Sequence, residues 1–398
     1  MPASLSTVSA LLKEIYEPDI QDQLNNDLKA WRRIEKTSEG ITNEMGGKYV
    51  TFALKVGRNQ GIGARNESEA LPTAGQQVTT TARVGAKYLY GSIQFTGQTL
   101  KLADTNKQAF ASAVDLEITG IKNDVTKDLN FQFYGSGTGV RATVTADGVN
   151  TVTVDNVQYL EVNMVIDILA SDITTVQASA RVITAINTST KVVTYSGADV
   201  SATTGAGSVI VRTGNANREL TGIGSIIKAS GTLYNVDPTV VPQWKSVVSG
   251  NGGTPRALTE ALMIKMTDDI ATNGGGIPTV VFCNKGVRRA YFNLLKTDRR
   301  FVNTQKFEGG FTGLAFTTDD GDIPVVSDVD APPGSMKFVN EKEIKLYRES
   351  DWSWMDEDGN KFQRVIGFDA YQATLFMYAE VGTHRRNAHG SLDDITEG

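Results

Sequence analysis

The chain has 398 residues, 40% hydrophobic and 21% charged, with a formal net charge of −6. That mixture excludes global disorder, and the acidic balance opposes a protein that reads nucleic acid through a basic face. One cysteine (Cys283) excludes an internal disulfide framework, and two histidines (His384, His389) exclude a three-histidine metal site.

No stretch approaches the roughly 20 apolar residues that span a bilayer. Met1 to Tyr16 lacks the cationic head and apolar core of a signal peptide, so synthesis in the cytoplasm is expected. In residues 1–46, Leu5, Val8, Leu11, Leu12 and Ile15 recur at helical spacing until Pro18, and Leu24, Leu28 and Trp31 share a second helical face. The stripe is narrow, which suits an arm lying on another surface.

Lys48 to Val56 and the run Gln77 to Thr99 alternate and are rich in strand formers. They predict two long paired strands within 47–99, with the glycine-rich stretch Gly57 to Gln76 as the tip. A paired arm of about nine residues reaches ~30 Å. An isolated hairpin is marginal in water, so this finger is expected to rest on another surface, a second copy of the chain being the economical one. The alternative is a loop folded over its own domain. The residues expected to make the contact are Ile62, Leu71 and Val78 by apolar burial, and Arg58, Arg65, Glu67 and Glu69 by charge of both signs.

Thr105-Asn-Lys-Gln108 fits a capping box. Phe110, Val114, Ile118, Ile121, Val125 and Leu129 then follow at helical spacing, predicting one long helix that Gly135-Ser-Gly-Thr-Gly139 ends. Residues 138–215 differ in composition: 35 of 78 are Val, Ile or Thr, with two aromatics, Tyr159 and Tyr195. Six short alternating runs (141–145, 151–154, 162–169, 180–186, 191–195, 208–212) predict a small all-β barrel or sandwich within 137–218. Its lack of aromatics opposes a sugar-stacking surface. From residue 219 the pattern is mixed α/β: a helix opening at Thr254-Pro255, a glycine break at 274–276, a buried strand at Thr279–Cys283, a helix from Lys285, and strands at 324–327, 336–340, 344–348 and 365–379.

The motifs that carry chemistry are missing. There is no Gly-x-Ser-x-Gly elbow and no phosphate-binding glycine loop ending in Lys-Ser/Thr. Asp356-Glu-Asp358-Gly-Asn360 lacks the glutamate that completes a calcium loop and reads as a hairpin turn. Asp319-Asp-Gly-Asp322 reads as a solvated turn, with a surface cation site as the other reading. Ser225-Ile-Ile-Lys228 lacks the partner motifs of a serine acyl-enzyme. Cys283 reads as a small buried hydrophobe. His384-Arg385-Arg386 reads as a solvated tail, with a basic contact to a neighbour or anionic polymer as the alternative. No catalytic, cofactor or metal residue is expected, and an enzyme is not.

The order of parts resembles the major capsid protein of tailed bacteriophages, whose fold is shared with herpesvirus shell floors and encapsulins. Tyr234-Asn-Val-Asp-Pro through Pro242-Gln-Trp244-Lys-Ser is similar to the linker after an inserted β-domain, and Pro324 to Gly334 to the late axial-domain strand and turn. The resemblance implies an α+β fold. Its parts would be an N-terminal arm (1–46), an extended β-hairpin loop (47–99), a peripheral domain with a spine helix (100–136, completed by 341–372), the inserted β-domain (137–218) and an axial α/β domain (219–340, completed by 373–398).

It further implies a subunit that self-assembles into hexamers and pentamers of an icosahedral shell around double-stranded DNA, which it encloses without sequence-specific binding. Scaffold and portal proteins would be partners, with a decoration protein possible on the inserted domain; assembly would occur in host cytoplasm and the product would be the virion. Between Val56 and Ala86 there is no lysine, so the covalent cross-link of some relatives is not expected. An encapsulin-like compartment is the alternative of the same fold, and a glycan-binding surface β-protein the alternative of another class.

Overall fold

The computed structural model describes residues 29–37, 49–98, 107–297, 305–306, 312–319, 321–348, 351–356 and 362–398. The helical stripe expected over 5–28, the capping residue Thr105 and the turn at 357–360 lie outside them. Side chains of the long helix are described from residue 117.

Among the described residues, two large sheets, one barrel and one two-stranded sheet organise the chain. A seven-stranded sheet has the order Val247–Ser249, Gly390–Leu392, Met336–Val339, Val280–Cys283, Gly321–Ser327, Thr312–Thr318, Gln305–Lys306. Its central strand Val280–Cys283 is buried throughout, and alternate residues feed two cores. Val281 and Cys283 pack with Met263, Met266, Ile270, Val287 and Tyr291, from the helices Glu260–Gly274 and Lys285–Thr297. Val280 and Phe282 face the opposite way, into the cluster around Phe133, Tyr134 and Trp244. This two-sided burial explains why the strand reads as a continuous apolar run.

The helix expected from Thr254 begins later, with Thr259 as its cap accepting from the Leu262 amide. Residues before it are used elsewhere: the Arg256 amide donates to the Asp394 carbonyl at 2.6 Å, and the Thr396 amide to the Arg256 carbonyl at 2.9 Å. The glycine break ends it, Gly275 taking a left-handed φ of 58°.

The second sheet is built on the 14-residue strand Ala370–Thr383. On one edge lie Ile344–Arg348, Ser353–Trp354 and Gln363–Arg364; on the other lies Lys87–Thr96, paired through ten consecutive residues. The boundary expected at 372 therefore falls inside a strand that stays whole in this sheet. The arm closes the far edge: Glu35–Thr37 runs parallel to Ile344–Arg348. Just before it, Ala30 and Trp31 are buried, and their amides donate to Asp328 Oδ2 (2.9 Å) and Asn130 Oδ1 (3.2 Å).

The long helix Lys107–Tyr134 crosses this sheet. Ile118 and Ile121 pack on Ile93, Phe95 and Ala373. The approach is close enough at Gly91 that a Cβ there would stand 2.7 Å from Val125. Residues 129–134 are buried on every side, which wedges the end of the helix between the sheet and the barrel. Gly137 and Gly139, with φ near 80°, turn the chain away.

The predicted strands of 140–212 close into a six-stranded barrel, in the order Val209–Arg212, Val140–Gly148, Thr151–Val154, Val192–Tyr195, Val176–Asn187, Val165–Leu169. Inward Val144, Val152, Ile166, Ile168, Ile183, Val193 and Ile210 fill it. Closure removes every sheet edge, so this part leaves no ladder unpaired.

Candidate assembly surface

The finger is a two-stranded antiparallel sheet, Tyr49–Gly57 with Val78–Gly85. The long second strand expected through Gln77–Thr99 is broken at Ala86: its first half stays in the finger, and its second half, Lys87–Thr96, leaves for the second sheet. Burial falls off outward. Val50 and Val84 pack with Tyr347 at the base, Phe52 and Leu54 are half-buried, and Val78 is already 53% exposed.

The tip is tied by its own side chains. Asn59 donates to the Gly75 carbonyl (2.8 Å) and accepts from the Gly61 amide (2.6 Å). A Cβ on Gly75 would stand 3.0 Å from the Gly61 nitrogen, so the neck needs both glycines. Arg65 donates to the Ala64 and Ala70 carbonyls, both at 2.8 Å. Glu69 accepts from the Asn66 amide (3.0 Å) and carboxamide (2.8 Å), which hold its carboxyl below the ordinary range. Arg65 and Glu69 thus shape the turn, while the Arg58 and Glu67 side chains are exposed. Ile62 (81% exposed) and Leu71 (85%) stand in solvent on this braced loop. Of the seven residues expected at the contact, the fold brings Ile62, Arg65, Glu67, Glu69 and Leu71 onto the tip and leaves Arg58 and Val78 at its neck.

A second exposed apolar area lies on the Lys87–Thr96 strand. Leu89, Ile93 and Phe95 face the long helix, while Tyr88 and Tyr90 face outward and meet Tyr378 edge-on at 5.1 and 6.4 Å. The sequence shows these tyrosines only as part of an alternating strand; which face is covered depends on the helix.

The barrel stands on a buried charge network. The Arg141 guanidinium lies 2.6 Å from Asp128, 3.1 Å from Glu219 and over the Phe131 ring at 3.5 Å. Burial works against ionisation of both acids, but Arg141, with Arg212 at 3.8 Å, brings Asp128 below its ordinary range. In Glu219 burial prevails and the carboxyl is raised. Clefts of about 790 and 640 Å³ flank this foot. Gln158 and Tyr159 reach across to the carbonyls of Val329 and Asp330.

The basic cluster near the end corrects the solvated-tail reading. Arg386 is 1% exposed, and its guanidinium donates to five carbonyls, those of Ser225, Ile226, Ser230, Gly231 and Trp244. The linker 225–244 wraps it. His389 is buried and neutral: the Asn340 amide donates to Nδ1 (3.2 Å), which places the ring proton on Nε2, facing Thr383. Cys283 is buried and its thiol pushed up to about 12. Among the described residues no group of three or more His, Cys, Asp and Glu is placed to hold a metal ion.

A family model described as SU10 major capsid protein matches residues 197–396, half of the chain. The chain belongs to the SU10 major capsid protein family. No curated protein matches it in sequence. Among solved structures, the cyanophage A-1(L) capsid asymmetric unit is similar over 99% of this chain and 100% of that one, with TM-score 0.62 and 15% identity. The capsid of the native GTA particle is similar over 99% of both chains, with TM-score 0.54 and 10% identity. Mycobacterium phage Bobi matches over 99% of both, at TM-score 0.50 and 10% identity. At such identities the likeness shows the fold, which is the tailed-phage major capsid fold the sequence resembles. The chain is a major capsid protein, its working form is a homo-oligomeric shell, and its place is the virion.

Proposed function

We propose that the subunit closes into hexamers and pentamers of an icosahedral shell around double-stranded DNA, with the finger as the clamp between copies. The observation that supports this is the braced tip: hydrogen bonds fix its shape, while Ile62 and Leu71 remain exposed on its own chain. A loop ordered to present apolar side chains to water is stabilised when a neighbour covers them. Arg58 and Glu67 set the register of that contact, and Val78 extends it toward the base.

The division into arm, finger, peripheral, barrel and axial parts belongs to the same reading, with the barrel as an insertion open to a decoration protein. Assembly in the host cytoplasm, a separate scaffold, a portal, the absence of a covalent cross-link and the absence of catalysis complete it. Heterologous contacts of this kind close into rings when the rotation fits.

Deleting residues 57–76 tests the clamp. The shortened chain is expected to stay folded by circular dichroism and to form no shells in electron microscopy. Regular shells from the deletion variant would remove the finger from this role. Nuclease-protected DNA inside native particles, against a protein cargo, separates the reading from an encapsulin-like compartment.

A further inference from the structure

The finger leaves the body of the subunit through a narrow base, and that base has a built seat. Val50 and Val84 lie on Tyr347, and the Phe52 ring meets His384 edge-on at 4.6 Å. The second sheet makes room for them at Gly382, where a Cβ would stand 2.5 Å from the Tyr347 ring and 3.4 Å from Val84. These contacts are side chain on side chain. Among the described residues, one backbone hydrogen bond outside the finger's own ladder joins its strands to the rest of the chain: the Arg83 amide donates to the Tyr234 carbonyl at 3.0 Å.

Tyr234 belongs to the linker that leaves the barrel. Leu233 and Val236 exchange both backbone hydrogen bonds across a two-residue turn, at 3.1 and 2.9 Å. The residues between them, Tyr234 and Asn235, have φ of 52° and 67°. Two consecutive positive φ values mark a turn of the I′ kind, whose central positions favour glycine, asparagine and aspartate. Asn235 suits it. A tyrosine there does not, since a bulky side chain is strained in the left-handed region.

The strain is held by what the rest of the residue does. The Tyr234 ring packs against the cluster of Val50, Val84 and Tyr347, and its hydroxyl donates to the Val381 carbonyl at 2.7 Å. One residue therefore grips the finger strand by its carbonyl, the finger's apolar base by its ring and the second sheet by its hydroxyl. The linker is itself fixed from behind. The Leu233 carbonyl accepts from the Trp244 indole at 3.3 Å, and the Arg386 guanidinium donates to the Gly231 and Trp244 carbonyls on either side of the turn. The barrel's exit reaches the same region, the Asn217 carbonyl accepting from Lys87 Nζ at 3.3 Å just past the break at Ala86.

We propose that Tyr234 is a positioning residue that pins the base of the finger to the barrel's exit linker and so sets the finger's angle before a second copy arrives. This rests on the clamp reading above and adds what aims the clamp. A finger free to swing about Ala86 would meet its neighbours at many angles. Held by carbonyl, ring and hydroxyl, it presents Ile62 and Leu71 in one direction, which shells of uniform curvature require.

The first measurement needs no variant. Amides two residues apart on a strand point the same way, so Thr81 shares the outward edge with Arg83. In unassembled wild-type subunits, residue-resolved hydrogen exchange should be at least about tenfold slower at the Arg83 amide than at that of Thr81. Tyr234→Asn then removes the ring and hydroxyl while installing a residue suited to the turn. It should leave barrel amides at wild-type rates, speed exchange at Arg83 by about tenfold or more, and widen the spread of shell diameters in electron microscopy. Tyr234→Phe, which keeps the ring and the carbonyl, should stay close to wild type in both readouts. A tyrosine that only formed the turn would be replaced by asparagine without loss, so wild-type exchange and uniform shells from Tyr234→Asn would overturn the proposal. So would a wild-type Arg83 amide that exchanges as fast as Thr81. A loosened finger that still builds uniform shells would overturn it too, since the neighbour would then set the angle. Regular shells from the 57–76 deletion would instead defeat the clamp reading, and the exchange of free subunits tells the two failures apart.

Discussion

The Arg141 guanidinium stands 2.6 Å from the Asp128 carboxylate, joining the first barrel strand to the last turns of the long helix. Both side chains are largely shielded from water, and Glu219 completes the network from the returning leg of the barrel. Arg141→Met leaves two buried carboxylates facing each other and should cost roughly 3–5 kcal/mol in urea denaturation. Replacing all three charges by apolar residues should recover most of that loss, since a whole buried network exchanged for packing is commonly near neutral. A single variant as stable as wild type would show that the network contributes nothing at the foot.

Glu380 gives a pH signature. It is 3% exposed and accepts from the Thr221 amide (2.6 Å), the Thr221 hydroxyl (3.1 Å) and its own neighbour's amide, that of Val381 (3.0 Å). Burial nonetheless pushes its carboxyl from 4.5 to about 7. The folded state therefore holds a proton that the unfolded chain releases above 4.5. The stabilisation is complete below 4.5 and is lost as pH rises to about 7, roughly 3 kcal/mol in all. His389 acts oppositely: burial lowers it from 6.5 to about 3, so stability falls as pH drops through that window. Between 4.5 and 6.5 the two slopes oppose each other. Glu380→Gln, whose carboxamide oxygen still accepts from the Thr221 and Val381 amides while its NH2 donates to the Thr221 hydroxyl oxygen, should be more stable than wild type at pH 8. It should also expose a stability that rises with pH between 4.5 and 6.5. Thermal melts across pH check both.

Arg386 is expected to be as sensitive as a core aromatic. Arg386→Met strands five carbonyls in a buried linker, at a cost of roughly 3 kcal/mol or more. Arg386→Lys should recover little, because an ammonium lacks the planar fork that reaches all five. Soluble yield and melting temperature of the two variants are the measurements; a wild-type melt for Arg386→Lys would mean that charge alone suffices.

Gly120 offers a paired test of the long helix. Nothing lies within 4 Å of a Cβ placed there. Gly120→Ala should stabilise by roughly 0.5–1 kcal/mol. Gly120→Pro should break the helix and cost about 3 kcal/mol or more. Opposite shifts in helical circular dichroism and melting temperature are expected, and equal effects would contradict a continuous helix through this position.

The barrel was legible because its signal is local: each run alternates, and each partner lies within about 70 residues. The long helix and the buried strand Val280–Cys283 were legible for the same reason. What escaped depends on distant chain. Val247–Ser249 and Gly390–Leu392 are three-residue strands that pair with each other across more than 140 positions. Arg386 looks like a charged tail until the 225–244 linker supplies its carbonyls. The break at Ala86 carries no composition signal, since both halves of that run are strand-like and only the partner changes. At the tip, Ile62 and Leu71 were readable as candidates, but the self-bonding of Arg65 and Glu69 was not, because it depends on the turn at Asn66–Glu69.

The arm strand Glu35–Thr37 meets residues 345–347, and Ala30 meets Asp328, each across about 300 positions. The barrel, by contrast, is one uninterrupted stretch with its own interior. During synthesis the barrel has all its partners soon after residue 212 emerges, while the arm waits for nearly the whole polypeptide. Loop-closure entropy makes that last joining slow. The same order leaves another strand unprotected: Lys87–Thr96 has no strand to pair with until Ala370–Thr383 is made, so the ribosome spends most of translation holding it exposed. A chaperone that shields this segment would raise the yield of subunits, whereas one acting on the barrel would not.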